Sequence, residues 1–580
     1  MVLLPIIEVV GRGFFGRGIS GSIPLVQHLT LWVALAGAAL SSRSNRHLAL
    51  STQSLLPERF ESAARLITSM LAFGILSCLF SASVDLVLIE RQAGDIVAWG
   101  IPRWLFLLAL PIGFGSITVR IFLNAPDIPG GRVIVLSGLL IPIIFGYWEP
   151  LLDMNLVAPL GLIILVATLL GMPIFAAIAG TALLLFFYDF TPANVIPGET
   201  YRLSSSAMLP SIPLFALGGY ILAEGGSSRR LMRLFSAFVG WIPGGLAIVT
   251  TCVLAFFTPL TGASGITILS MGGLLLPVLI GSRYPEKNSI GLVTASGSIG
   301  LLFFPSLPVI LYGYYANQPI DQLFVGGLVP GILLVAVVSS WAAYRGWRQG
   351  ARPTPFNHRE ARLALWEAKW ELMLPVVVLG GLLTGFVTLV EASALTVFYA
   401  LFAECVVHQE LSIKKDLPDV FIECATLVGG FMIILSVALG LTQYFILAEI
   451  PTRALDWVNA HIESPIIFLL ALNVLLIIVG ALMDIYSAIV VFVPLIYPMA
   501  ASYGIDPIHL GIIFLVNMEL GYLTPPMGVS LFLSSFRFNK PLGEIYRSTL
   551  PYTLILFLVM LLITYVPVLS LGLIEWVGLR

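Results

Sequence analysis

Apolar runs long enough to cross a hydrocarbon layer of about 30 Å at about 1.5 Å per residue recur along the whole chain. They include 22–41, 101–122, 156–188, 372–403, 421–448 and 549–573. Of 580 residues 58% are hydrophobic and 10% charged, and mean hydropathy is +1.00, so polar groups are too few to coat a soluble globule. Hydropathy marks about fourteen such stretches. Strands of a membrane barrel would alternate polar and apolar over about 10 residues. These runs do not, so the expected fold is all-α, a polytopic helical bundle embedded in a lipid bilayer.

The net charge of −2 implies no nucleic acid or other acidic polymer as partner. Cys78, Cys252, Cys405 and Cys424 are scattered, mostly within apolar runs, and suggest neither a disulfide framework nor a metal cluster. Arg12 and Arg17 precede the first apolar run without a convincing small-residue cleavage site, so that helix is expected to be retained. Arg43, Arg46 and Arg59 follow the same run, so charge bias assigns it no orientation. The longest polar interruption, 345–371, carries Arg345, Arg348, Arg352, Arg359, Arg362 and Lys369, which predicts a cytoplasmic segment. Within it, Leu363, Trp366 and Trp370 at spacings of three and four predict an amphipathic helix over 358–371 lying in the membrane interface, or else a solvated loop.

A boundary is expected near 149–157, where EPLLDMNLV separates four ordinary spans from a longer block rich in Gly and Pro. That block repeats itself. A shift of 221 residues superposes Pro277 on Pro498, Gly300 on Gly521, Pro305 on Pro526 and Pro330 on Pro551. Both copies are broken inside an apolar segment, by Gly297, Gly300, Pro305 and Pro308 in ASGSIGLLFFPSLP (295–308) and by Gly521, Pro525, Pro526 and Gly528 in GYLTPPMG (521–528). Proline removes a donor and disfavours helix at the residue before it. In lipid such backbone is tolerated only where protein or a wet cavity satisfies it. Carbonyls freed at Gly521, Leu523 and Thr524, with the Thr524 hydroxyl, form a plausible cage for a dehydrated cation. Each break follows a second irregular stretch, 256–277 and 477–498, read as a re-entrant hairpin; the competing reading is a proline-kinked spanning helix.

Asp484, Glu391 and Glu519 lie inside apolar segments and are functional candidates, with helix capping as the plain alternative. Gly262-Ala263-Ser264-Gly265 matches the GxSG pattern of intramembrane serine proteases. That chemistry needs a histidine base on a neighbouring helix, and the six histidines fall in loops or near segment ends. No HExxH and no GxxxxGK[ST] occurs, so neither zinc proteolysis nor ATP-driven transport is supported.

On these residues the chain resembles the membrane components of tripartite ATP-independent periplasmic (TRAP) transporters. The marks in the large subunit are LLGMPIFAAIAG (169–180), LPSIPLFALGGYILAEGG (209–226), the hairpin 256–277, SGSIGLLFFPSLPVILYG (296–313), LVEASAL (389–395), GALMD (480–484), GIDPIHLGIIFLVNMELGYLTPPMG (504–528) and YVPVLSLGL (565–573). A weaker likeness to the small subunit runs through Arg46-His47 and IPRWLFLLALPIGFGSITVRIF (101–122). The resemblance implies a fused permease: a small-subunit scaffold over 1–131, a connector over 132–155 and a large-subunit transport region over 156–580. It also implies elevator-type transport, with both hairpins on a domain that slides against a scaffold, in a bacterial inner membrane.

Sodium as coupling ion is implied at the two breaks. One site would use Gly300, Phe303 and Pro305 with Thr258 or Thr261, the other Gly521, Thr524 and Met527 with Gly480. Ser264, Ser296, Ser298, Asp484 and Asn517 are the substrate candidates. The chain departs from the family at Thr267, where an acid is common, and at Phe304-Pro305, where a Pro-Pro pair is. A small organic anion, mostly a carboxylate, delivered by a separate periplasmic substrate-binding protein, is the implied cargo. No stretch is long and polar enough to be that receptor, so it is expected on another polypeptide. The alternative function is a channel-like or structural membrane protein whose breaks are kinks.

Overall fold

The computed structural model describes residues 1–15, 18–19, 21–43, 58–126, 130–147, 156–204, 206, 209–261, 264–350, 353, 355–525 and 528–579. Most of the 42–62 loop and of the 149–157 boundary, with Gly262, Ala263, Pro526 and Met527, lies outside them. Among the described residues regular structure is helical, and pairing of extended backbone is confined to an isolated bridge, Ile96 with Pro102.

Nine of the described helices are long and apolar enough to cross a membrane, and a tenth span forms if the bent pair Glu286–Leu302 and Leu307–Tyr315, at 44°, is counted as one. The expectation of about fourteen differs for a physical reason. Hydropathy summed over a window cannot separate a span from shorter apolar helices such as Ile174–Tyr188 or Ser211–Glu224, most of whose residues are buried inside the protein.

Two compact units divide the chain. The first comprises 3–213 with 421–451. Its helices Ser22–Arg43 and Glu58–Ala93 both pack on Ala109–Leu123. Ser22–Arg43 also crosses Leu417–Leu447 where Gly37 meets Gly429 backbone to backbone, leaving no room for a side chain on either. Thr200 Oγ1 donates to Ser436 O at 3.2 Å, and Arg103 pairs with Asp95 at 2.7 Å. Membership of 421–451 in this unit is not visible in a division drawn along the sequence at 131 and 155.

The second unit, 214–420 with 452–580, holds both repeats. Shifted by 221 residues, Ser264–Gly281 falls on Ile485–Ser502, and the starts of Gly245–Thr261, Glu286–Ile299, Leu307–Tyr315 and Ile320–Arg348 fall within one residue of those of Pro465–Leu482, Pro507–Gly521, Val529–Phe538 and Leu542–Tyr565. Each repeat is therefore a helical hairpin, a discontinuous helix and a long closing helix. The repeats interlock: the second arm of the first hairpin packs on Val529–Phe538, and the second arm of the other, Ile485–Ser502, packs on Leu307–Tyr315.

Candidate ion and substrate site

Both breaks begin at a glycine set against the first arm of its own hairpin. A Cβ built on Gly521 would lie 2.6 Å from Gly480 Cα and 2.7 Å from its carbonyl carbon. One built on Gly300 would lie 2.6 Å from Ala255 O and Thr258 Cβ and 2.8 Å from Pro259 Cδ. Backbone can approach this closely only without side chains. The end of each hairpin's first arm is thus pressed against the interruption of an apolar run. Both hairpins close on a break, as the re-entrant reading expects, while Pro465–Leu482 and Ile485–Ser502 are each also long and apolar enough to cross a membrane.

Around the first break, Thr258 is fully buried and its Oγ1 donates to Leu254 O at 2.7 Å and Gly297 O at 3.0 Å, tying the arm to the discontinuous helix. Glu286–Ile299 continues as a 3-10 turn over Gly300–Leu302 and ends at Phe303, which is extended. Phe303 N donates to Gly300 O and Ser306 N to Phe303 O, both at 3.0 Å. Each of these carbonyls keeps a second lone pair for another donor or a cation. The Phe303 ring lies beside Gly331 of Ile320–Arg348, so only its backbone serves the break. Pro305 is buried after a cis bond, and Thr261 closes the first arm.

At the second break, Thr524 N donates to Gly521 O at 3.0 Å and Thr524 Oγ1 to Leu520 O at 2.8 Å. The Thr524 hydroxyl proton is spent on the helix, while its oxygen retains acceptor capacity. Gly528, at φ +32, sends its N–H to Ala481 O at 3.3 Å, and Tyr522 Oη accepts from Ile485 N at 2.7 Å, so hairpin and break are stitched together from both sides. Gly480 is buried at this seam; Met527 is outside the described residues.

The substrate candidates separate into groups. Ser264 opens the second arm, with its carbonyl near Gly297, and Ser296 Oγ donates to Thr251 Oγ1 at 3.4 Å. Ser298 Oγ is buried with no partner among the described residues. Asp484 sits at the other tip and caps Ile485–Ser502, accepting from Ser487 N at 3.0 Å and Ser487 Oγ at 2.6 Å. Asn517 faces elsewhere: its Nδ2 donates to Asn473 Oδ1 at 2.7 Å and Ile513 O at 2.8 Å, deep along the first arm rather than at the tip. By the repeat, Ser296 and Asn517 are equivalent, as are Ser298 and Glu519, whose Oε1 is likewise buried without a partner. Glu391 has the plain role. It completes a capping box with Thr388, at 2.7 and 3.4 Å. Of the two buried histidines, His28 contacts Pro24 O and Tyr201 Oη, and His509 contacts Ser570 Oγ and Thr564 O, so neither is a base for Ser264 among the described residues.

One buried cluster escaped sequence reasoning altogether. Arg230, 7% exposed, reaches Glu371 Oε1 at 2.6 Å, Glu410 Oε1 at 2.9 Å and Glu404 Oε1, while Ser227 Oγ donates to Glu404 at 2.5 Å and Glu371 at 3.2 Å. Its carboxylates lie 141 to 180 positions from Arg230, so no local pattern announces the cluster.

The description of the TRAP transporter DctM component matches residues 161–569, and that of the DctQ component matches 1–126. The isethionate TRAP transporter permease protein DctMQ of Oleidesulfovibrio alaskensis is 30% identical over 569 residues, covering 94% of this chain and 87% of its own length. The C4-dicarboxylate TRAP transporter large permease protein DctM of Pseudomonas aeruginosa is 34% identical over 394 residues, 67% of this chain and 92% of that one. The 2,3-diketo-L-gulonate TRAP transporter large permease protein YiaN of Escherichia coli is 29% identical over 416 residues, 70% and 96% respectively. Among solved structures, the Alcanivorax borkumensis YdaH transporter is similar at TM-score 0.45 and 16% identity, covering 68% of this chain and 88% of that one. The three relatives named first are all described as TRAP transporter permease proteins. With the two component descriptions falling in order on one polypeptide and a fused relative aligned over nearly all of it, the chain belongs to the TRAP transporter family as a permease that joins both membrane components, a multi-pass protein of the bacterial inner membrane.

Proposed function

We propose that this permease imports a small organic anion, coupled to sodium and handed over by a separate periplasmic binding protein. The observation that carries the reading is the pair of interrupted helices, each with the end of a hairpin arm seated on its break. Carbonyl oxygens of Gly300, Phe303, Gly521 and Thr524, with the hydroxyls of Thr258 and Thr524, suit a hard cation that prefers oxygen ligands. Pro305, Gly480, Thr261 and Met527 would complete the two sites. Ser264, Ser296, Ser298 and Asp484 would meet the substrate from the tips and the first break, and Asn517 would support them from behind. Relatives named for isethionate, C4-dicarboxylate and 2,3-diketo-L-gulonate favour an organic anion as cargo. Movement would be of elevator type, the hairpins travelling with their broken helices while 1–131 widens the scaffold and 132–155 connects it to 156–580.

Reconstitution of the full chain in liposomes with candidate binding proteins tests this. Uptake should require both the binding protein and an inward sodium gradient. Flux that ignores either one would leave a channel as the better description.

Thr524 gives a finer test of the second break. Thr524→Val keeps the shape and removes the oxygen, and is expected to raise half-saturating sodium about tenfold, the equivalent of about 1.4 kcal/mol. Thr524→Ser should remain near wild type. Equal sodium dependence in all three proteins would show that the hydroxyl is no ligand.

A further inference from the structure

The segment 358–371 contains three acids, and arginines of one neighbouring helix engage all of them. Arg233 of Ser227–Val239 donates through Nε to Glu360 at 2.6 Å and through Nη1 to Glu367, and Arg230 of the same helix holds Glu371 at 2.6 Å. The Arg233 hydrogen bond keeps the Glu360 carboxyl below its ordinary range. Ala361, Ala364 and Ala368 are buried, and His358–Glu367 packs on Ser227–Val239.

The outward side of the segment is different in kind. Arg359, Arg362, Leu363 and Trp366 recur at i, i+3, i+4 and i+7 and so share one face. Leu363 and Trp366 are 45% and 69% exposed. Lys369 follows one turn after Leu365, its ammonium 3.4 Å from the centroid of Trp366 and 5.4 Å from that of Trp370, where the indole faces attract it. Arg359, Arg362 and Lys369 have no acid partner among the described residues. A helix long and apolar enough to cross a membrane, Ile320–Arg348, ends before the segment, and Lys369 opens the 15-residue helix Lys369–Leu383, apolar after its first turn.

We propose that this face binds anionic phospholipid headgroups, with Arg359, Arg362 and Lys369 on the phosphates and Trp366 and Leu363 in the headgroup–acyl boundary. The mixture of basic and aromatic side chains directly follows an apolar helix long enough to cross a membrane, Ile320–Arg348. An anionic leaflet supplies both halves of the match. By taking up the acids, Arg230 and Arg233 leave the outer face purely cationic, so the lipid contact depends on the packing of Ser227–Val239 behind it.

The full chain reconstituted with brominated lipids tests the assignment. Subtracting the emission of Trp366→Phe from that of wild type isolates this residue among the 11 tryptophans. Brominated phosphatidylglycerol is expected to quench the difference signal at least about two-fold more than brominated phosphatidylcholine at the same mole fraction. That advantage should vanish in about 0.5 M salt, where the Debye length is about 4 Å, and in Arg359→Gln with Arg362→Gln, two exposed positions whose change leaves folding intact. Equal quenching by the two lipids, or quenching by neither, overturns the proposal.

Discussion

Replacing Gly521 with valine is expected to abolish transport in protein that still inserts. The first added carbon would lie 2.6 Å from Gly480 Cα and 3.0 Å from Ala481 N, and these are backbone atoms that no rotamer change can move aside. The hairpin and the broken helix would have to part. Overpacking of this kind costs about 1–3 kcal/mol even for smaller insertions, which corresponds to roughly a 5- to 150-fold loss if the separation is felt at the ion site. Gradations follow from the same distances. Gly521→Ala should be worse than Gly480→Ala, whose Cβ would lie 3.1 Å from its nearest neighbour, and Gly300→Ala should resemble Gly521→Ala. Gly281→Ala, with nothing within 4 Å, is the control. Uptake by Gly521→Val at the wild-type rate would show that the close approach is incidental to transport.

Loss of the Arg230 guanidinium is expected to be the most destabilising single change in the second unit. Removal leaves Glu371, at 2% side-chain exposure, and Glu404, at 0%, facing one another without the guanidinium between them, and leaves Glu410 only the exposed Arg229 at 3.9 Å. Breaking a buried ion pair by deleting one partner costs about 3–5 kcal/mol. Arg230→Ala should therefore lower the thermal midpoint of the detergent-solubilised protein sharply. Arg230→Lys should rescue only part of it, since one ammonium cannot replace a planar fork whose three nitrogens each meet a different carboxylate. A midpoint for Arg230→Ala equal to wild type would mean that the three helices hold together by packing alone.

Much of the architecture was legible in the chain because its cause is local. Apolar length sets the solvent, and lipid then leaves helices as the solution for these runs. Proline and glycine positions announced the breaks, and their recurrence at a shift of 221 anticipated a repeat that the helices follow to within one residue over five starts. The Asp484 and Glu391 caps are local too, each bonding to a residue three positions away. Their polarity was visible in the sequence, but that each caps a helix was seen only from where the hydrogen bonds went.

What the sequence could not determine is whatever depends on contacts between distant segments. Hydropathy does not distinguish a helix crossing lipid from a short apolar helix buried by its neighbours, so the count of spans needed the fold. The partition that joins 421–451 to 3–213 rests on packing such as Gly37 against Gly429, almost 400 residues apart, between glycines that look ordinary in their own windows. Arg230 with Glu371, Glu404 and Glu410 reads, along the chain, as four unrelated charges; only folding makes one guanidinium their common partner. The same holds for the basic face at 358–371, whose acids cancel its charge on paper and in space are paired with arginines of one neighbouring helix. Composition and period act over one or two helical turns and can be read directly. Charge pairing and backbone approach are properties of surfaces that exist only once helices far apart in sequence have met.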